Sequence, residues 1–211
     1  RHAVTRQWIS VPFRCQSLVE NFRHPAIRVL EAGRHANKLR AGHLRGNRFS
    51  ILIRNPDRDA PVRAAAIAEQ LGRTALAALA ASDQPGIILV GRPYNVHDRA
   101  VNLDVPGKLR DYYGINVIPY DCLPLHAVDI RDINDNRYWH SGRRILAAAK
   151  VAKDTPHLRL IHITNFKCGP DSYIKHFLGT ACGKPFLSLQ FDGHGNDAGF
   201  LTRCEAYLDS K

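Results

Sequence analysis

Cys168 stands in the run Phe166-Lys167-Cys168-Gly169-Pro170-Asp171-Ser172. Pro170, Asp171 and Ser172 are residue types of a helix's opening turn. Free backbone N–H groups and the helix dipole favour negative charge there, so a cysteine just ahead is placed to ligate iron or to act in redox chemistry. A small cysteine packed beneath the loop is the alternative. A second run, Asp192-Gly193-His194-Gly195-Asn196-Asp197, concentrates residues that build tight turns and offer backbone N–H groups to an anion. His194 is either a proton donor or ligand, or a solvated side chain beside Asp192 and Asp197 as helix caps. A third run, Gly91-Arg92-Pro93-Tyr94-Asn95, is neither a Walker loop nor G-x-G-x-x-G. Arg92 suits a phosphate or carboxylate, or braces a neighbouring loop.

These runs follow short apolar stretches. Such stretches fall at 87–90, 115–119, 158–164 and 186–191, and helical patterns near 107–113, 136–153, 171–181 and 198–209 alternate with them. The alternation predicts a parallel sheet with right-handed crossovers and helices on both faces. The expected fold class is therefore α/β, a Rossmann-like three-layer domain over 82–211 preceded by a mainly helical, basic region over 1–81. Ligands gather at the carboxyl ends of strands in such sheets. That rule gathers Arg92, Asn95, Asn165, Asp171, Ser172, Asp192 and His194 as candidate binding residues on one edge. Cys122, in the loop Asp121-Cys122-Leu123-Pro124 after the second strand, lies on the same expected edge and is the one intrachain thiol within plausible reach of Cys168 as a second metal ligand. The lateral order of the strands is not given by the sequence.

The N-terminal region reads differently. Helical spacing of Leu18, Phe22, Ile27, Leu30 and Leu39 over 16–47 is broken by Pro25, a short strand is expected at 49–53, and an alanine-rich helix runs over about 62–81. Residues 1–80 carry fourteen basic and five acidic side chains, against sixteen and fourteen in the remainder. The arginines read as dispersed and lack an aromatic-rich strand beside them, so a helical surface docked on a neighbour is expected rather than a nucleic-acid reader.

Composition narrows the class. The 211 residues are 45% hydrophobic and 23% charged, which excludes wholesale disorder. Neither a signal pattern nor an apolar run of membrane-spanning length occurs, so a soluble cytoplasmic protein without membrane contact is expected. The five cysteines, Cys15, Cys122, Cys168, Cys182 and Cys204, are odd in number and form no C-x-x-C pair, against a disulfide scaffold. Structural packing is expected for Cys15, Cys182 and Cys204. Methionine is absent, and the chain is expected to begin inside a longer reading frame or to have been processed. No G-x-S-x-G elbow, H-E-x-x-H or four-ligand zinc spacing occurs.

Several motifs in order resemble one family. Val90-Gly91-Arg92-Pro93-Tyr94-Asn95, Asn102 with Asp104-Val105-Pro106-Gly107-Lys108-Leu109, Ile118-Pro119-Tyr120-Asp121, Tyr138-Trp139 with Gly142 and Arg144-Ile145-Leu146, the Cys168 run, and Asp197-Ala198-Gly199 with Arg203 and Glu205-Ala206-Tyr207-Leu208-Asp209 are similar to the C-terminal part of CoA-substrate-specific enzyme activases. Those proteins are related to the 2-hydroxyglutaryl-CoA dehydratase system. The resemblance spans about 86–211. It implies a dehydratase-subunit-like module working with other domains or subunits, an ATPase activase among them, in low-potential electron transfer, with an acyl-CoA-related substrate. It also implies a [4Fe–4S] cluster in the intact protein, with Cys168 carried over as a ligand. Cys122 stands where the family pattern expects an apolar residue. ATPase phosphate loops are absent from this chain, so it is not expected to hydrolyse ATP alone. Two other readings stay open: a non-catalytic α/β interaction domain without a cluster, and a small-molecule enzyme using the strand-edge loops without metal.

Overall fold

Strand β1 (Gly86–Gly91) is buried along its whole length, as a central strand covered on both faces must be. A computed structural model describes residues 60–82, 84–135, 139–192 and 196–210. Helix α1 (Ala60–Ser82) precedes β1. Then follow α2 (Pro93–His97), α3 (Val105–Tyr113), β2 (Asn116–Pro119), α4 (His140–Asp154), β3 (Leu158–Asn165), α5 (Gly169–Cys182), β4 (Leu187–Phe191) and α6 (Asp197–Asp209). Two single 3-10 turns, Tyr120–Cys122 and Leu125–Ala127, lie between β2 and α4.

The strand order is β2-β1-β3-β4, and each neighbouring pair is parallel. The expected α/β class with a parallel sheet and flanking helices is therefore the observed one. Each of the four expected strands lies within a residue or so of its expected bounds. Helix α4 starts at His140 rather than 136. The short helix α2 and the two 3-10 turns were not anticipated, because five- and three-residue elements are too brief to show a period.

Two sequence features end helices cleanly. Gly114 and Gly183 take φ of 70° and 62° at the C-caps of α3 and α5, a conformation open to glycine without a Cβ clash. Between the layers the core is aliphatic: Ile87, Ile88, Leu89, Leu109, Ile118, Ile145, Leu158, Leu160 and Ile161 are fully enclosed. Burying each such side chain contributes about 1.5–3 kcal/mol. Ala147, Ala148, Ala149 and Ala152 turn the buried face of α4 into a smooth one.

Helix α1 belongs to this core. Ala68, Leu71, Ala75, Ala78 and Leu79 repeat at helical spacing and are buried. Gly72 lets the helix approach the turn after β2 so closely that an added Cβ would sit 1.8 Å from the Cys122 carbonyl oxygen. The alanine-rich helix expected at the end of the basic region thus packs as a layer of the α/β domain. The expected elements over 16–47 and 49–53 lie outside the described residues, as does Cys15. Among the described residues no helix is long and apolar enough to cross a membrane.

Candidate functional site

From β1 the chain leaves toward β2 on one side, and from the adjacent β3 it leaves toward β4 on the other. Loops that diverge in this way open a crevice at the carboxyl ends of the two strands. Gly91 closes β1 against β3: a Cβ there would stand 2.4 Å from the Ile163 carbonyl oxygen. Immediately beyond it, the Arg92 Nε donates to Asp171 Oδ1 at 2.9 Å. The other carboxylate oxygen of Asp171 accepts from Thr164 Oγ1 at 2.9 Å. Asp171 is buried and both its oxygens are engaged. The Arg92–Asp171 pair braces the loop after β1 against the start of α5.

Cys168 is the N-cap residue of α5, with its side chain making no capping bond. Its N–H donates to the Asn165 carbonyl at 3.2 Å, and its own carbonyl accepts from the Ser172 N–H at 2.9 Å and hydroxyl at 2.8 Å. The thiol-bearing residue is partly exposed, whereas Cys122, Cys182 and Cys204 are buried. Burial pushes the Cys204 thiol up to about 11 and raises that of Cys182. Because β1 lies between β2 and β3, the strand ends carrying Cys122 and Cys168 stand two strand spacings apart, about 10 Å.

Asn165, Phe166 and Asp192 line an open groove of about 600 Å³ with Phe191 on one side and Ala100, Val101 and Leu103 on the other. Ser172 is exposed on the first turn of α5. Asn95 is wholly buried in α2, and among the described residues neither of its amide atoms has a hydrogen-bond partner. His194 lies outside the described residues. Its neighbour Asn196 is the cap of α6, its Oδ1 accepting from the Ala198 N–H at 2.9 Å. The capping expected of Asp192 and Asp197 therefore falls to Asn196, whose side chain is one residue ahead of the first helical turn. Asp197 instead pairs with Lys108 at 2.7 Å.

Two buried groups escaped the sequence reading. His97 Nε2 lies 2.8 Å from Asp121 Oδ2, tying the end of α2 to the turn after β2. His162, in the middle of β3, is fully buried, and desolvation pushes its imidazole down to about 4, with Asp171 acting the other way. The signal was the strand's apolar residues on both faces, Leu158 and Leu160 on the side of His162 and Ile161 and Ile163 on the other, which mark a strand covered on both sides.

The donor set fits one ligand of an iron–sulfur cluster and no more. Among the described residues no three His, Cys, Asp or Glu side chains converge on a metal position. A [4Fe–4S] cluster takes four thiolates, so Cys168 would have to be completed by cysteines outside the described residues.

Comparisons with known proteins divide the chain. Residues 60–123 match the family model of the CoA enzyme activase uncharacterised domain. Residues 1–79 match that of tRNA pseudouridine synthase D. The tRNA pseudouridine synthase D of Geobacter sulfurreducens is 47% identical over 70 residues, 33% of this chain and 17% of that protein. That of Thermus thermophilus is 51% identical over 59 residues, covering 26% and 16%. The chain thus spans about a sixth of the length of these curated relatives. No solved structure matches. The activase match begins earlier than the resemblance at 86 and ends at 123, so the Cys168 run and the motifs after it lie beyond the matched residues. The likeness of 1–79 was missed. Its signal was the density of Arg34, His35, Lys38, Arg40, His43, Arg45 and Arg48, which the reading of dispersed arginines passed over.

Proposed function

We propose that the α/β domain is a module of a CoA-substrate-specific enzyme activase or 2-hydroxyacyl-CoA dehydratase-like system, and that Cys168 holds one iron of a [4Fe–4S] cluster shared with other domains or subunits. The observation that carries this reading is the position of Cys168: partly exposed, uncommitted to helix capping, and set where the loops from β1 and β3 diverge. The activase match over 60–123 supports the family part of the reading, and the Cys168 part rests on its setting alone. A cluster held there would supply one-electron transfer at low potential. The chain's own contribution is positional. Arg92, Thr164 and Asp171 fix the start of α5, and the N–H of Cys168 is anchored on Asn165. Iron and sulfide analysis of anaerobically prepared protein, with and without the Cys168 thiol, tests the reading.

A second reading concerns residues 1–79 and rests on their match to tRNA pseudouridine synthase D together with the excess of basic side chains in that stretch. It gives this region a structured-RNA partner, against the expectation of a protein neighbour. Phosphate-driven binding weakens steeply with salt. Tight RNA binding at low salt that collapses toward physiological ionic strength supports this second reading; salt-independent indifference to RNA removes it.

A further inference from the structure

We propose that the groove between residues 100–103 and the ends of β3 and β4 binds the base of a purine nucleotide. The proposal builds on the reading of the carboxyl edge as the functional surface and is independent of whether Cys168 holds iron. At about 600 Å³ the groove has the size of a small-molecule site. One wall presents the Phe166 ring, 58% exposed in a domain whose other phenylalanines are more covered. The Lys167 ammonium lies over the ring, and the ring's remaining exposure makes it a stacking platform for a planar base. Asn165 lines the same groove, and its carboxamide type carries a donor and an acceptor side by side, the pattern that a purine's edge pairs with. The Lys167 ammonium lies 5.4 Å from the centroid of the Phe166 ring and supplies positive charge for a phosphate.

The facing wall is held in place before any ligand arrives. Asn102 Nδ2 donates to the carbonyls of Asn95 and Val96 at 2.9 and 3.1 Å. Lys108 Nζ donates to the Leu103 carbonyl at 2.6 Å while pairing with Asp197. Backbone strain converges on the same place. Among the described residues, the non-glycine residues with positive φ are Leu103 (51°), Asp104 (51°) and Lys167 (60°), which flank the groove from both sides. Such conformations are strained for residues with a Cβ, and at Leu103 and Asp104 the packing just described holds the strain in place.

Free nucleotides and the 3′-phosphoadenosine portion of CoA share this chemistry. Isothermal titration of the 211-residue chain with AMP, GMP, CoA and ribose 5-phosphate separates them. The expected result is saturable binding of a purine nucleotide with a Kd on the order of 0.1–1 mM, and none of ribose 5-phosphate. CoA binding tighter than AMP assigns the site to CoA; AMP or GMP binding without CoA assigns it to free nucleotide. Phe166→Ala is expected to weaken binding about tenfold or more through loss of stacking, with Phe166→Leu, which keeps apolar bulk without a ring face, weakening it comparably. Tyr112→Ala removes an exposed ring at the end of α3, away from the groove, and is expected to change nothing. Absence of saturable binding by all four compounds, ribose 5-phosphate binding as well as AMP, or unchanged affinity in both Phe166 variants would overturn the proposal. None of these outcomes bears on the iron content by which the Cys168 reading is judged.

Discussion

Arg92 Nε and Asp171 Oδ1 stand 2.9 Å apart, joining the segment that leaves β1 to the first turn of α5 beyond β3. The two segments depart from the sheet in opposite directions, so without a tie their relative position would rest on the strand ends alone. The Asp171 side chain is fully covered and that of Arg92 is only 18% exposed. Solvent therefore screens the pair little, and it fixes the turn from which Cys168 projects.

Asp171→Asn should destabilise the domain by about 2–3 kcal/mol, because it removes the charge that Arg92 pairs with in a covered site. Thr164→Val, which leaves the ion pair and removes one neutral bond to Asp171, should cost about 1 kcal/mol. Urea denaturation of the two variants checks the order; a larger loss in Thr164→Val would place the stabilisation elsewhere.

The buried imidazole of His162 gives the domain an acid-sensitive step. Its folded pKa, pushed down to about 4 by burial, lies below the ordinary 6.5. Between these values the unfolded chain binds a proton that the folded chain refuses, so stability falls as pH drops from 6.5 to about 4 and levels off below. The full difference is about 3 kcal/mol. Denaturant midpoints measured across this window should decline in the parent chain and decline less in His162→Leu; parallel slopes would contradict the assignment.

Gly72→Ala should destabilise the domain by about 2–3 kcal/mol, even though alanine is the better helix former by about 1 kcal/mol. The added methyl would overlap the Cys122 carbonyl, forcing α1 away from the turn after β2. A raised thermal midpoint in this variant would mean that α1 does not pack where it is described.

Brief alkylation of the native protein, read by peptide mass spectrometry, should mark Cys168 well before Cys122, Cys182 or Cys204. Cys168 is partly exposed, while the other three are enclosed, with the Cys204 thiol pushed up to about 11. Unfolding in denaturant should make the four equivalent. Early labelling of Cys204 would show that α6 opens readily.

The strands were legible because their residues are apolar on both faces, as in Ile87 to Val90, and because each is followed by a helix of recognisable period. Strand order was not, since nothing local to β1 or β3 states which strand it joins. The Arg92–Asp171 tie was equally hidden, for it links positions 79 residues apart that only the crossover brings together. Cys168 was visible through its setting ahead of Pro170 and Asp171. The enclosure of Cys122 was not, because it depends on Gly72 admitting α1 against the turn. The groove likewise joins residues 100–103 to 165–166 and 191–192 across the fold, and no single run of sequence displays it.

Iron and acid-labile sulfide, measured in the protein prepared without oxygen together with the partner chains proposed to complete the cluster, test the proposal for Cys168 most directly. The protein with Cys168 intact should carry about four irons per site with broad visible absorption. Cys168→Ser should lose most of that iron while keeping its circular dichroism and denaturation midpoint, because serine at an N-cap position caps a helix at least as well. Iron and sulfide contents equal in the two proteins, or iron absent from both, would contradict the account.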